Sequence, residues 1–203
     1  FRLLCAKEHG GRCRTVKEWC REFGLVAGVN AGMFLGDYLT NVGYMKNSHH
    51  INNPKVNPKY LSVFAFSPVD LHRPPARIFD IDEEGMEGII RGYRTVIQNL
   101  RLIKRPRENR WPPGGRSWSE LALGEDERGN ILFIFSPHPY TMHQFNELLL
   151  RLPLGILCAQ HLEGGEQASL YLHHQGMEVE MVGGKGDALP VPNVIGIIPK
   201  GGD

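Results

Sequence analysis

The chain of 203 residues is long enough for one domain with a sizeable hydrophobic core. Its 41% hydrophobic and 22% charged residues exclude wholesale disorder, and its net charge of +1 gives no overall attraction to nucleic acid. Because of this near-neutral charge, we expect no nucleic-acid partner. No apolar run approaches the ~20 residues that span a bilayer, so we expect no stable membrane span. The sequence starts at Phe1 without a signal peptide, which leaves room for a secretory leader that has been removed.

The first predicted helix covers residues 15–23. Thr15 is the expected N-cap, Glu18 three residues later completes a capping box, and Gly24 ends the helix. A buried strand is expected at 25–29. Residues 35–59 are rich in asparagine and polar side chains and are predicted to form a long loop, of the kind that is usually functional or mobile.

The remaining predicted elements are short apolar runs separated by turn residues. We expect strands at 61–66, 77–81, 95–103 (one strand or a pair), 121–124, 131–135, 154–160, 169–172 and 194–198, a helix at 141–152 and an exposed loop at 104–117. Regular strand–helix alternation, which a doubly wound fold needs, is absent. The sequence therefore predicts a single α+β domain over residues 1–203, with a mixed, largely antiparallel twisted sheet and a few packed helices.

Basic residues are concentrated between Arg91 and Arg116, where eight of them accompany one acid, Glu108. A basic segment in a near-neutral protein fits a phosphate-bearing ligand or an anionic polymer. The alternative is a solvated arginine-rich loop, because runs of charge are most often solvated faces. The sequence leaves both interpretations open.

Four cysteines occur, and no two of them form a CxxC pair, so a structural zinc site is poorly supported. Cys158 lies in an apolar run and is expected to be a buried small hydrophobe. Export of the protein would allow one disulfide among Cys5, Cys13 and Cys20. The histidines at 49–50 and 173–174 are expected in loops, since adjacent residues of a strand face opposite ways.

Two glycine-bearing motifs are the most informative features of the chain. Val29–Phe34 (Val-Asn-Ala-Gly-Met-Phe) and Leu162–Ser169 (Leu-Glu-Gly-Gly-Glu-Gln-Ala-Ser) each follow an apolar run that predicts a buried strand. A polar residue and a glycine at the end of such a strand favour a ligand site, because glycine lets a ligand approach the backbone closely. The alternative is two tight turns that need glycine for their geometry.

Glu163 is the strongest candidate acid or base. It follows an apolar strand, so partial burial would raise the pKa of its carboxyl group. The amides of Gly164 and Gly165 could bind an anion, and Asn30 could bind a sugar hydroxyl or phosphate, or close a turn on its own backbone.

Three further side chains are candidates for the same cleft. His161 shares a face with Glu163 if residues 160–163 are extended, but two ligands are too few for a metal, and we predict none. His138 follows the strand at 131–135 and Glu120 precedes the strand at 121–124, so both could point into the cleft. The absence of GxSxG, GxGxxG and GxxxxGK[ST] argues against a serine hydrolase and against nucleotide cofactors, and no cofactor is expected.

The order of these motifs resembles the phosphodiester glycosidase family. The first motif resembles that family's Asn-Gly-Gly-Phe-Phe type signature, and the second is similar to its Leu-Asp-Gly-Gly-Gly-Ser-Ser type motif. A glycine-bearing strand at 121–124, a hairpin and a helix lie between them, and 192–196 (Pro-Asn-Val-Ile-Gly) resembles the family's terminal strand. The resemblance covers about residues 25–198.

The resemblance implies a secreted or periplasmic hydrolase that cleaves a glycosidic bond in a sugar-1-phosphodiester or a related saccharide. Its partner would be a saccharide or sugar-phosphate substrate. Glu163 and Glu120 are then the predicted catalytic residues, with Glu166 as the other candidate for the second carboxylate. The predicted substrate-binding residues are Asn30, Gly32, Gly164, Gly165, His138 and Asn193.

The chain also departs from the family pattern. Glu120-Leu121 stands where the family usually has Arg-Thr, Glu163 stands for an aspartate, and Glu166-Gln167-Ala168 stands for Gly-Ser-Ser. Loss of a guanidinium group that could hold a phosphate in bidentate fashion would weaken anion binding. The alternative function is therefore a catalytically inactive carbohydrate- or phosphate-binding module on the same fold.

Overall fold

The computed structural model describes residues 1–199 and shows a predominantly β architecture with three α-helices. The strands are β1 (Arg2–Cys5), β2 (Ala27–Asn30), β3 (Met45–Asn47), β4 (His50–Asn53), β5 (Ser62–Pro68), β6 (Ala76–Asp80), β7 (Tyr93–Asn99), β8 (Arg101–Lys104), β9 (Glu108–Asn109), β10 (Trp118–Asp126), β11 (Ile131–Tyr140), β12 (Ile156–Gly164), β13 (Ser169–His174), β14 (Met177–Val182) and β15 (Asn193–Ile197). The helices are α1 (Val16–Phe23), α2 (Met86–Gly92) and α3 (Met142–Arg151), with short 3₁₀ helices at Ala6–Glu8 and Gly165–Gln167.

These strands form three antiparallel sheets of five strands each. Sheet I has the order β1-β15-β2-β13-β14, sheet II the order β11-β10-β12-β8-β9, and sheet III the order β4-β3-β7-β5-β6. Sheet I therefore combines the first two strands with the last three, and sheets II and III are built from the residues between them. The predicted α+β class is confirmed, with three sheets in place of the single sheet expected.

The core lies where the three sheets meet. The largest apolar cluster takes side chains from all of them, for example Val29 from sheet I, Leu123 from sheet II and Phe64 from sheet III. Helix α1 covers sheet I through a second cluster around the fully buried Trp19, and α3 covers sheet II through a cluster that contains Phe145. Burial of each such large side chain stabilises the fold by about 1.5–3 kcal/mol.

Local sequence signals account for two of the helices. Thr15 and Glu18 form the predicted capping box of α1, and Gly24 ends this helix in the left-handed conformation at φ +66°. Thr141 caps α3 in the same way through Gln144. The predicted helices at 15–23 and 141–152 are therefore confirmed to within a residue at each end.

Several predicted loops contain secondary structure. The hairpin of β3 and β4 lies inside the predicted loop 35–59, and β9 lies inside the predicted loop 104–117. The expectation of loop histidines is wrong for His50, on β4, and for His173 and His174, on β13. The predicted strand at 95–103 is two strands in different sheets, β7 and β8. Short polar strands have no apolar alternation to mark them, and sheet neighbours far away in sequence decide their conformation.

All four cysteines are free, so the disulfide considered for Cys5, Cys13 and Cys20 does not form. Cys158 is buried in the core, as expected. No helix within residues 1–199 combines the length and the hydropathy that crossing a membrane requires.

Candidate active site

The first glycine motif is attached directly to the second. Asn30 is the last residue of β2 and is fully buried. Its side-chain oxygen accepts a hydrogen bond of 3.2 Å from the backbone N–H of Ser169, the first residue of β13. Its side-chain nitrogen is buried and has no partner among the described residues. The Asn30 amide thus joins the two motifs and keeps an unused donor beside them.

Two further asparagines hold the backbone of the first motif. The N–H of Ala31 donates to the backbone oxygen of Asn193 at 2.8 Å, and Nδ2 of Asn99 donates to the oxygen of Ala31 at 2.9 Å. Gly32 has φ +148° and packs so closely against Asn99 that a Cβ atom at this position would overlap the amide group. A glycine is therefore required at position 32 for close approach as well as for conformation.

The second motif begins inside a strand. β12 continues through Glu163 to Gly164, and the 3₁₀ helix Gly165–Gln167 follows it. The prediction that the strand ends near residue 160 and a turn begins there is wrong. Pairing with β10 in the middle of sheet II extends the strand across the polar residues 160–164.

A β-bulge in this strand separates His161 from Glu163. The ladder pairs His161 with Ala122 and Glu163 with Leu121, so Leu162 is the extra residue. Because neighbouring residues of β10 face opposite sides of the sheet, His161 and Glu163 lie on opposite faces. The condition for the predicted shared face, a regular extended strand, is not met.

Glu163 is a buried carboxyl group with one side open to a cleft. Its side chain is 8% exposed, and its Oε1 accepts a hydrogen bond of 3.0 Å from the N–H of Gly164. Burial raises the pKa of Glu163 above its ordinary value, the Gly164 N–H and the charge of His161 lower it, and the charge of Glu120 raises it. The net direction is upward, so the proton is retained to a higher pH. The Gly164 amide is occupied by Glu163 in this arrangement.

The cleft beside Glu163 has a volume of about 370 Å³. Its walls come from both glycine motifs and from the loop that follows the first one: Met33, Phe34, Leu35, Gly36, Tyr38, Val42, Glu163 and Gln167. The rings of Phe34 and Tyr38 lie 5.6 Å apart, and Tyr38 is 63% exposed. Aromatic rings and a carboxyl group that line the same cleft can hold the apolar face of a sugar ring near a proton donor.

Glu120 and His161 form a buried pair on the other face of sheet II. Oε2 of Glu120 lies 2.9 Å from Nδ1 of His161, and the two residues are 0% and 2% exposed. Oε1 of Glu120 is buried without a partner among the described residues. Because Glu120 is completely enclosed, it can act on a ligand only through His161, and it leaves Nε2 as the ring nitrogen available to another group.

The structure does not bring all the predicted residues into one cleft. His138 is exposed on β11, and its backbone oxygen accepts a hydrogen bond from the Ser136 hydroxyl at 3.2 Å. Asn193 is buried, and its side-chain oxygen accepts from Nδ2 of Asn52 at 3.2 Å, so its amide group supports the neighbouring loop. Glu166 is exposed on the 3₁₀ helix, next to the cleft residue Gln167.

Besides the cleft walls Phe34 and Tyr38, two supporting residues near the site were not among those predicted. Burial and the charge of Glu163 raise the pKa of Tyr60, which places its phenol in the field of that carboxylate. Asn99 ends β7 and supports Gly32 from sheet III. Neither residue lies in a recognisable motif, and both approach the site from elements far away in sequence.

The basic segment is largely neutralised by acids. We use the name ionic cluster for Asp80, Asp82, Glu83, Arg101, Lys104, Arg105 and Glu125, whose ion pairs link sheets II and III. Arg110 pairs with Glu108, and Arg107 donates to the backbone oxygens of Leu150 and Ile156. These side chains therefore do not offer a free phosphate-binding surface, and none of them lines the cleft.

Comparison with known proteins identifies families and structures that are similar to this chain. A family model described as phosphodiester glycosidase matches residues 23–198. No curated protein sequence matches the chain significantly. The catalytic domain of zebrafish N-acetylglucosamine-1-phosphodiester alpha-N-acetylglucosaminidase, solved in a form auto-inhibited by its pro-peptide, superimposes with a TM-score of 0.67 at 14% identity, over 98% of this chain and 72% of that one.

A hypothetical protein from Synechocystis is similar in fold, with a TM-score of 0.62 at 14% identity. The match covers 96% of this chain and 56% of that one. At such identities the likeness of the two structures concerns the fold alone. The family match extends over most of the sequence and includes both glycine motifs. The chain therefore belongs to the phosphodiester glycosidase family.

Proposed function

We propose that this protein is a hydrolase that cleaves the glycosidic bond of a sugar-1-phosphodiester or a related saccharide in the cleft between the two glycine motifs. The observation that carries the proposal is the position of Glu163, a buried carboxyl group in the wall of a cleft to which both family motifs contribute. Membership of the phosphodiester glycosidase family supports the reaction class.

Glu163 acts as the general acid in this proposal. Burial raises the pKa of its carboxyl group, so a proton is available for transfer at a pH where an exposed glutamate has lost it. The bond between the anomeric carbon and the leaving oxygen breaks, and the leaving oxygen takes the Glu163 proton. A water molecule forms the new bond to the anomeric carbon and gives up one proton to a second carboxylate, which passes it to solvent. The Glu163 carboxylate then recovers a proton from solvent.

Glycoside hydrolysis usually needs a second carboxylate. Of the two candidates, Glu166 is exposed beside the cleft residue Gln167, whereas Glu120 is enclosed and bonded to His161. We therefore assign the second carboxylate to Glu166. Glu120 and His161 lie on the other face of sheet II, and we assign them no part in the proton transfer. Asn30, Gly32 and the amide of Gly165 shape the floor of the site, and Phe34 and Tyr38 form the sugar-facing wall.

The test compares Glu163→Gln with Glu83→Gln, which removes a carboxylate of the ionic cluster remote from the cleft. Assays would use sugar-1-phosphodiesters and aryl glycosides, with calorimetry of saccharide binding in parallel. We expect Glu163→Gln to lower kcat/KM by about 10²–10⁴-fold, the range for loss of a general acid, with saccharide binding retained. Glu83→Gln should keep wild-type turnover. Unchanged turnover in Glu163→Gln would contradict the assignment.

A second candidate function is a saccharide-binding module without turnover. The observation that favours it is the absence of a lysine or arginine among the residues that line the cleft in the described part of the chain. Without a cation, the phosphate of a sugar-1-phosphodiester has no counter-charge at the cleft wall. Saccharide binding by the wild-type protein with no turnover of either substrate class would support this candidate against the first.

Export to a secreted or periplasmic location is part of the same proposal and is supported by the family membership. Fractionation of cells that express the complete natural gene with a C-terminal tag tests it. Recovery of the tagged protein in the secreted or periplasmic fraction is the expected result, and recovery in the cytosolic fraction alone would contradict it.

A further inference from the structure

Three side chains of metal-binding type converge outside the cleft, beside the first strand. Cys5 ends β1, Glu8 lies in the 3₁₀ helix that follows, and His50 begins β4. One potential ligand atom of each residue lies within 4.8 Å of the other two. None of the three lines the cleft next to Glu163. Cys5 and Glu8 also precede residue 23, where the family match begins.

The histidine of this group has an unused nitrogen. Nε2 of His50 is buried and has no hydrogen-bond partner among the described residues. Buried polar atoms are nearly always hydrogen-bonded to protein, water or a ligand, so this nitrogen marks a position that a ligand can satisfy. Cys5 is completely buried, which keeps its thiol away from solvent and beside the imidazole.

The surroundings orient the other two groups. Nδ2 of Asn47 donates a hydrogen bond of 3.0 Å to Oε2 of Glu8, which holds this exposed carboxylate toward the strand. Cys5 is fixed in the ladder of sheet I opposite Asn193. Outer hydrogen bonds of this kind orient metal ligands in known sites.

The ligand types of Cys5, Glu8 and His50 indicate which metal ion the site would bind. A thiolate, an imidazole and a carboxylate are the three ligand types that zinc takes, usually in tetrahedral geometry. Calcium and magnesium require oxygen ligands, so a buried thiol argues against them. A thiolate, an imidazole and a thioether would suit copper(I), and Sδ of Met45 lies 3.9 Å from Sγ of Cys5. The carboxylate of Glu8 favours zinc, because copper(I) has little affinity for oxygen ligands.

We propose that Cys5, Glu8 and His50 bind one zinc ion, which fastens the N-terminal segment to the hairpin of β3 and β4. The fourth position of the tetrahedron belongs to water. Small movements of the side chains bring the three atoms from their present separations to the metal, since zinc–ligand bonds are about 2.0–2.3 Å long.

The zinc ion would support the cleft from behind. The hairpin carries Asn52, whose side-chain oxygen accepts from the N–H of Asn41 at 2.8 Å and whose Nδ2 donates to the oxygen of Leu39 at 3.0 Å. These contacts hold the C-terminal end of the loop that includes the cleft residues Phe34 and Tyr38. The metal therefore has a structural role that does not depend on the proposed reaction.

The experiment uses the whole chain after exhaustive chelation. Zn²⁺ is titrated by calorimetry, and Co²⁺ is added as a spectroscopic probe because thiolate ligation produces a charge-transfer absorption. We expect one Zn²⁺ per chain, a rise in Tm with zinc, and a cobalt–thiolate absorption. Cys5→Ser should lose the absorption, and Glu8→Gln and His50→Gln should each weaken zinc binding by at least tenfold. Cys158→Ser, another buried cysteine, is the matched control and should behave as wild type.

Three results would overturn the proposal. The first is no binding of Zn²⁺ or Co²⁺ to the wild-type chain at micromolar metal. The second is wild-type zinc affinity in Glu8→Gln, a variant of an exposed residue that should fold normally. The third is preferential binding of copper(I) that Met45→Leu abolishes, because zinc binding should be unchanged by that substitution.

Discussion

The ionic cluster and the cleft both bury carboxyl groups, but they give those groups different partners. In the ionic cluster, Asp80 accepts hydrogen bonds from the Arg101 side chain at 3.2 Å and from the N–H of Arg105 at 3.0 Å. In the cleft, Glu163 accepts a hydrogen bond only from the N–H of Gly164 among the described residues. Burial raises the pKa of both carboxyl groups, and only Asp80 accepts a hydrogen bond from an arginine side chain. Carboxyl groups paired with arginine or lysine hold sheets together, whereas Glu163, which has no such pair, can exchange a proton with a ligand.

The largest expected effect comes from breaking the buried pair behind the cleft. His161→Ala removes the partner of Glu120, whose other oxygen is already without one. We expect a loss of about 3–5 kcal/mol in the free energy of unfolding, because an isolated carboxylate is left in the core. Urea denaturation measures it. The double variant Glu120→Gln/His161→Ala should recover part of the loss, and equal stability of the single and double variants would contradict this account.

The corresponding change in the ionic cluster should reduce stability without reducing catalysis. Arg105→Ala removes the cation that lies 2.7 Å from Glu125, a carboxylate that also accepts from the N–H of Ile78. The partly exposed arginine makes the expected loss smaller, about 2–4 kcal/mol. Urea denaturation measures the loss of stability. The value of kcat/KM, measured where the variant is fully folded, shows whether the ionic cluster affects turnover as the cleft does. A drop of tenfold or more in kcat/KM would show that the ionic cluster takes part in the reaction.

Glu163→Gln should stabilise the protein at neutral pH. Below the ordinary glutamate pKa, Glu163 is protonated in both states and contributes no difference. As the pH rises, the unfolded chain ionises first, and the folded protein loses stability until the pH passes the raised pKa of Glu163. Glutamine avoids this loss, and we expect a Tm higher by about 2–4 °C at pH 7, equivalent to about 1 kcal/mol. The gain should vanish at pH 4, and a gain independent of pH would argue against the titration of Glu163.

The smallest effect is expected at the solvent-exposed edge of the basic segment. Arg110 pairs with Glu108 at 2.6 Å, but the two side chains are 55% and 44% exposed. Arg110→Ala should change the free energy of unfolding by less than about 0.5 kcal/mol, since exposed ion pairs contribute little. A loss above 1 kcal/mol would show that exposure is a poor guide to which charges of this segment are structural.

Local signals predicted the parts of this fold that depend on local chemistry. The capping box at Thr15 predicted α1, helical spacing of apolar residues predicted α3, and the apolar runs predicted most strands of sheets I and II. The two glycine motifs were predicted to form one cleft, and the structure links them through Asn30 and Ser169. The roles of the individual residues in that cleft stay predictions.

The sequence did not indicate which residues pair across long separations in the chain. Glu120 and His161 are 41 residues apart, and only the register of β10 against β12 brings them together. The bulge at Leu162 has no sequence signature, yet it decides which face Glu163 occupies. The acids around Asp80 neutralise basic residues about 20 positions away, so the charge run alone could not show whether Arg101 was free.

The strand order of sheet I determines how late during synthesis the site can form. β2 pairs with β13 and β15, so the strand that carries Asn30 must wait for partners synthesised about 140 and about 165 residues later. Contacts of such high sequence separation form slowly and leave strand edges open in the meantime. A nascent chain that still lacks β13 and β15 therefore lacks the pairing that holds Asn30 beside the second glycine motif.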